Sequence, residues 1–142
     1  MSRSTAREVA MMMIYSQMMG GEDTPTQVCE KVDGIDALTK DESRFAEELA
    51  TGVLSHTEML DGRIGAHAVG WSVDRIARVD LAILRLAVYE MFCRDDVPTG
   101  AAINEAVELS KRFGGDDKSA SFVNGILGAI AREADGAPAD GE

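Results

Sequence analysis

Residues 78–94 of this chain, RVDLAILRLAVYEMFCR, are apolar on almost every helical face. A surface helix needs only one apolar stripe, so a helix apolar all round must be enclosed by other elements. The run predicts a central, buried helix. The other segments read as helices too. From about Ser4 to Met19, the residues Ala6, Val9, Ala10, Met13, Ile14 and Gln17 recur at three- and four-residue spacing, and Gly20-Gly21 stops the run. Pro25 suits the first turn of a short helix over 25–33, closed by Gly34. Thr39 followed by Glu42 has the capping-box form. A long third helix follows, with Phe45, Leu49, Gly52, Val53, His56, Leu60, Ile64 and His67 on one side. Gly62 and Gly65 are placed to bend it, and Gly70 to stop it. Ser72 caps a short turn, SVDRI, ahead of the apolar helix. A sixth segment opens at Pro98 and ends at Gly114-Gly115 after Phe113. A seventh, capped by Ser119 or Asp117, ends near Ala134. The expectation is an all-α fold of about seven helices with no strand. Residues 1–134 read as one domain, and DGAPADGE, residues 135–142, as a disordered acidic tail.

Composition agrees. Hydrophobic residues are 45% of the 142, enough for a core, while three prolines and 5% aromatics favour helices over a β-sandwich. The formal charge of −11 argues against loose, charge-driven nucleic-acid binding. It is unevenly spread: residues 21–62 hold eleven acids against three bases, whereas 63–94 hold five arginines against three acids. A local basic face from residues 1–20 and 63–94 therefore remains available. Cys29 and Cys93 form no CxxC pair, which excludes a disulfide scaffold and fits a reducing, cytoplasmic compartment. No apolar run reaches the roughly 18 residues a membrane span needs, so no membrane partner is expected. Glu8 and Gln17 spoil the signal-peptide reading of residues 7–21.

The search for reactive chemistry is largely negative. GxxxxGK[ST], GxGxxG, HExxH and GxSxG do not occur. His56 and His67 could share a helix face, but they lie about 16 Å apart along it, too far to hold one metal. Cys93 lacks the surroundings of a Cys–His nucleophile. Glu90 sits inside the apolar helix with no second carboxylate or histidine beside it. A charge held by Arg85, Arg94 or a neighbouring helix is the expected role. No catalytic residue, cofactor or metal is assigned, and the protein is not read as an enzyme.

Three runs carry a resemblance: DLAILRLAVYEMF, VPTGAAINEAVELSKRFGG and SASFVNGIL. In this order and spacing, with AREVAMMMIY at the start, they resemble the NusB family of transcription antitermination factors. The likeness covers about residues 4–133, and INEAVELSKRFG followed by SxxFVNGIL is its most specific part. It implies two three-helix subdomains sharing a core. It also implies a factor that binds single-stranded boxA leader RNA with NusE, a small-subunit ribosomal protein. Such factors join RNA polymerase with other Nus factors and suppress termination, notably on ribosomal RNA operons. Some members form homodimers that hide the RNA face.

The resemblance also assigns residues. Arg3 and Arg7 match the family's basic N-terminal arm, and Tyr15 the tyrosine closing its first motif. Phe113, Ser119 and Phe122 match the loop and helix start beside bound RNA, and Lys118, which precedes Ser119 in this chain, is grouped with them as RNA-binding. Asp80 matches an acidic position used toward NusE. Single strands are gripped by arginines on phosphates and by aromatic faces under bases, which these residue types can supply. Arg7→Ala is accordingly expected to weaken RNA binding without disturbing the fold. Three departures stand out: only Arg3 and Arg7 represent an arm usually richer in arginine, the Phe113–Ser119 loop is one residue longer with Lys118 before Ser119, and the chain is unusually acidic. With about three phosphate contacts instead of six, the log–log salt slope should be near −2 rather than −4. The alternatives are a NusB-fold interaction module, NusE-binding or homodimeric, with little RNA affinity, and an accessory domain of an RNA-modifying enzyme.

Overall fold

The computed structural model describes residues 3–32, 35, 38–68, 70 and 72–134, with Asp117 described by its backbone alone. Residues 135–142, read as a disordered tail, lie outside the described residues. Among the described residues there are seven α-helices and no strand: α1 Arg3–Met18, α2 Pro25–Lys31, α3 Lys40–Ser55, α4 Thr57–His67, α5 Arg78–Cys93, α6 Thr99–Phe113 and α7 Asp117–Ala134. A single 3-10 turn, Val73–Arg75, precedes α5. The chain divides into two compact units, residues 1–55 and 56–142.

In the first unit α1 packs along α3, and α2 touches both. The stripe read along α1 is buried at Ala6, Val9, Ala10, Met13 and Ile14, and that of α3 at Phe45, Leu49 and Val53. Helix ends follow local chemistry. Gly20 has φ +89°, its N–H reaches the Gln17 carbonyl at 3.1 Å, and the Gly21 N–H reaches that of Ser16 at 2.7 Å. This is the left-handed stop that glycine adopts without steric cost. Thr39 and Glu42 close the capping box on α3: the Glu42 N–H donates to Thr39 Oγ1 at 3.1 Å, and the Thr39 N–H to Glu42 Oε1 at 2.9 Å. Thr24 and Gln27 do the same for α2.

The second unit is built around α5, which α4, α6 and α7 all contact. Leu81, Ala82, Ile83, Leu84, Leu86, Ala87 and Val88 are all buried, as an all-round apolar helix requires. Glu90 is buried among them at 1% exposure. Arg85 makes a two-pronged contact with Asp61 of α4, Nε to Oδ1 and Nη2 to Oδ2, both 2.8 Å. Arg94 grips Asp96 in the same way at 3.0 Å. Arg78 donates to the carbonyls of Asp74 and Ile76 at 2.9 Å, which ties the 3-10 turn to the start of α5.

The long third helix expected over residues 40–70 is two helices. His56, with φ −121° and ψ 15°, leaves the helical region, and its carbonyl starts α4 by accepting from Leu60 at 3.0 Å. A 3.6-residue stripe continues in phase across a one-residue break, so periodicity does not reveal it. The glycines expected to bend the helix lie inside α4 instead. A Cβ on Gly65 would stand 3.3 Å from Val73 Cγ2, so this glycine admits the 3-10 turn. His56, placed by its spacing on the apolar side of the expected helix, is exposed with its ring 5.8 Å from that of Tyr89. His67 pairs with Glu133 of α7 at 2.9 Å.

Gly114 joins α6 to α7 and is required by space rather than by φ, which is −69°. A Cβ there would collide with the Ser110 carbonyl and stand 2.7 Å from Ser119 Cβ. Gly114→Ala is expected to lower stability by about 2 kcal/mol, the usual cost of overpacking. A thermal melt checks this, and an unchanged midpoint would mean that the corner yields freely.

Candidate nucleic-acid interface

The expected binding residues fall in both units. In the first, Arg3 and Arg7 open α1 one turn apart. Both guanidiniums lie over the ring of Phe45, their central carbons 4.3 and 5.5 Å from its centroid. Arg7, expected in a basic arm, is only 6% exposed, whereas Arg3 is half-buried. Truncating Arg7 would strip a cation from a buried ring, so the expectation that it could be removed at no cost to the fold does not follow from its setting. Tyr15 is not brought to this pair. It lies two helical turns beyond Arg7, about 12 Å along the axis. There it lines a cleft of about 380 Å³ with Met12, Met19, Val28 and Lys31, the last held by Asp23 at 3.0 Å.

In the second unit, three of the four expected RNA residues meet. Lys118, Ser119 and Phe122, at the start of α7, line a cleft of about 410 Å³ with Arg75, Ile76 and Asp80. Lys118 is exposed and Phe122 half-buried, so Phe122 offers part of its ring to the cleft instead of filling the core. Phe113 ends α6, is not among the residues lining this cleft, and carries the Arg112 guanidinium 5.1 Å from its ring centre.

Two assignments change here. Asp117 is the first residue of α7 and Ser119 lies further inside it, so neither stands at the capping position. The residue before the helix, Asp116, caps it: its Oδ1 accepts the Lys118 N–H at 2.8 Å. An aspartate directly after the Gly114-Gly115 stop is itself a capping signal, so the sequence held this information one residue earlier. Ser119 is 6% exposed, and its hydroxyl donates to Asp80 Oδ2 at 3.3 Å. Asp80, expected to serve a different partner from Ser119, thus shares both a hydrogen bond and a cleft with it.

Asp80 sits in the first turn of α5 at 7% exposure. Its Oδ1 is buried with no hydrogen-bond partner. Burial pushes its carboxyl above the usual carboxylate range; the Ser119 hydrogen bond opposes the rise and the nearby Asp116 charge adds to it. A buried acceptor without a donor costs stability. Arg75, Ile76 and Asp116 were not foreseen from the sequence. Arg75 and Ile76 reach the cleft because the 3-10 turn lies beside the start of α7, which Asp116 directly precedes.

Among the described residues, no three metal-ligating side chains cluster, and no helix is long and apolar enough to cross a membrane. The NusB family model matches residues 4–132. A transcription antitermination protein NusB from Bacillus velezensis is 48% identical over 130 residues, covering 92% of this chain and 95% of that protein. Its counterpart from Acetivibrio thermocellus is 42% identical over 132 residues, covering 93% and 90%. Among solved structures, T. maritima NusB matches with a TM-score of 0.79 at 30% identity, covering 94% of this chain and 92% of that one. A chain from the crystal structure of antitermination factors NusB and NusE in complex with dsRNA matches with a TM-score of 0.74 at 28% identity, covering 92% and 96%. With a match running from the first helix into the last, the chain belongs to the NusB family of transcription antitermination proteins, which are not enzymes.

Proposed function

We propose that this protein binds boxA-type single-stranded leader RNA together with NusE and suppresses termination by RNA polymerase, notably on ribosomal RNA operons. It does so in the cytoplasm with other Nus factors. The observation that carries this reading is the cleft lined by Lys118, Ser119, Phe122 and Asp80. It combines an exposed ammonium for a phosphate, a half-open aromatic face for a base and a buried carboxylate oxygen that lacks a donor. Arg3, Arg7, Tyr15 and Phe113 are assigned to the RNA, and Asp80 to NusE. A family relative in complex with NusE and dsRNA supports both partners.

The test is fluorescence anisotropy of labelled boxA RNA against this protein alone and with NusE, across a salt series. Binding that sharpens with NusE and fails for scrambled RNA is expected, with a log–log salt slope near −2 for about three phosphate contacts. Preference for a duplex of the same sequence would move the RNA target from single to double strands. The burial of Arg7 favours one second reading, an interaction module with little RNA affinity that binds NusE or a second copy of itself. RNA binding absent from both mixtures, with NusE still captured, would establish that reading instead.

A further inference from the structure

Residues 63–94 hold five arginines, a block from which the sequence predicts part of a local basic face. Four of them are engaged within the protein. Arg85 and Arg94 each grip an aspartate, and Arg78 donates to carbonyls of the 3-10 turn. The Arg63 guanidinium lies 3.9 Å from the centre of the Phe92 ring. Arg75, at the end of the turn, is the exception. Among the described residues its side chain is exposed and has no hydrogen bond, ion pair or ring contact.

Arg75 lines the same cleft as Lys118 and Phe122. Lys118 is likewise exposed, with no partner for its ammonium among the described residues. Neither acid of the cleft pairs with these cations. Asp116 accepts the Lys118 backbone N–H as the cap of α7, and Asp80 is bonded to the Ser119 hydroxyl. The cleft, at about 410 Å³, has the size of pockets that accept small ligands, so it has room for a base and its phosphate. A guanidinium is weakly hydrated and presents its N–H groups as a planar fork, which matches two oxygens of a phosphate.

We propose that Arg75 holds a phosphate of the RNA strand at this cleft, next to a base lying on Phe122. Arg78 then acts as its positioning residue. Its guanidinium binds the carbonyls of Asp74 and Ile76, the residues on either side of Arg75, and so fixes the backbone from which Arg75 projects. Binding has to order one side chain and not the turn that carries it, which lowers the entropic cost of the contact. The inference rests on the proposed RNA function and adds a residue from outside the motifs that pointed to it.

The experiment measures boxA RNA affinity across a salt series, with NusE present, for the wild type, Arg75→Gln, Arg75→Lys and Arg132→Gln. Arg75→Gln is expected to make the log–log slope shallower by about 0.7, one phosphate contact on a single strand, and to weaken binding about fourfold at physiological salt. Arg75→Lys, which keeps the charge, should keep the slope. Arg132 is exposed in the last turn of α7, so Arg132→Gln makes the same charge change away from the cleft and should leave affinity and slope unchanged. An exposed side chain without partners can be replaced without loss of fold, and NusE capture without RNA should match the wild type for every variant. A wild-type slope and affinity in Arg75→Gln would remove Arg75 from the RNA while leaving the RNA function standing. An equal loss in Arg132→Gln would reduce the effect to overall charge, and weakened NusE capture by Arg75→Gln would move the residue to the protein partner; either overturns the inference. Failure of the wild type itself to bind the RNA would overturn the proposed function, and this contact with it.

Discussion

Leu84→Ala is expected to cost about 3 kcal/mol of stability, the middle of the range for truncating a fully buried leucine. Leu84 is 0% exposed at the centre of α5, the helix that α4, α6 and α7 all contact. Removing three of its side-chain carbons takes apolar area out of contact and leaves a void that three packed helices can close only in part. A domain of this size has about 5–15 kcal/mol in total, so the change should lower the urea midpoint markedly at an unchanged slope. Leu54 supplies the contrast. The same substitution there, at 59% exposure, should shift stability by about 0.5 kcal/mol or less. Equal losses at the two positions would mean that α5 is not the centre of its unit.

Asp80→Asn is expected to reduce NusE capture at least thirtyfold while leaving the protein folded. Losing one member of a buried, hydrogen-bonded charge contact between proteins costs about 2–5 kcal/mol. Asp80 has the features of such a member waiting for its partner: burial, an unmatched Oδ1 and a carboxyl held above its usual range chiefly by desolvation. The pH dependence has a definite sign. A carboxyl whose folded value is raised takes up its proton more readily in the folded state. Its stabilising contribution is full below the unfolded value of about 3.9 and is lost as pH rises through the folded value. At neutral pH the ionised carboxylate therefore costs stability. The neutral asparagine should be at least as stable as the wild type at pH 7 and should lack its gain on acidification. Chemical melts at pH 4 and 7, with NusE pull-down, read both effects. Wild-type NusE affinity in the variant would remove Asp80 from that interface, and an unfolded variant would make the carboxylate structural.

Much of this molecule was legible in short stretches of sequence. The glycine pair 20–21, the Thr39–Glu42 capping box and the all-round apolar α5 each appear where local rules put them. The break at His56 was not legible, because a heptad-scale stripe continues across it in register. The cap of α7 was missed by one residue because three candidate capping side chains, Asp116, Asp117 and Ser119, crowd one loop.

The candidate site was read less completely. Lys118, Ser119 and Phe122 share a cleft, yet Ser119 faces Asp80 instead of capping its helix, and Phe113 does not line that cleft. Residue types suited to RNA could be named one at a time, but their surroundings could not. By itself, the sequence determined the helical class, the helix stops, the buried central helix and the family, since periodicity, capping and motif spacing act over a few residues. Only the tertiary structure decided that Arg7 is buried with Arg3 on Phe45, that Asp80 keeps an unmatched oxygen and that Arg75 reaches the start of α7. Burial, hydrogen-bond partners and shifted protonation depend on groups distant in the chain, and no local spacing rule encodes which of them will meet.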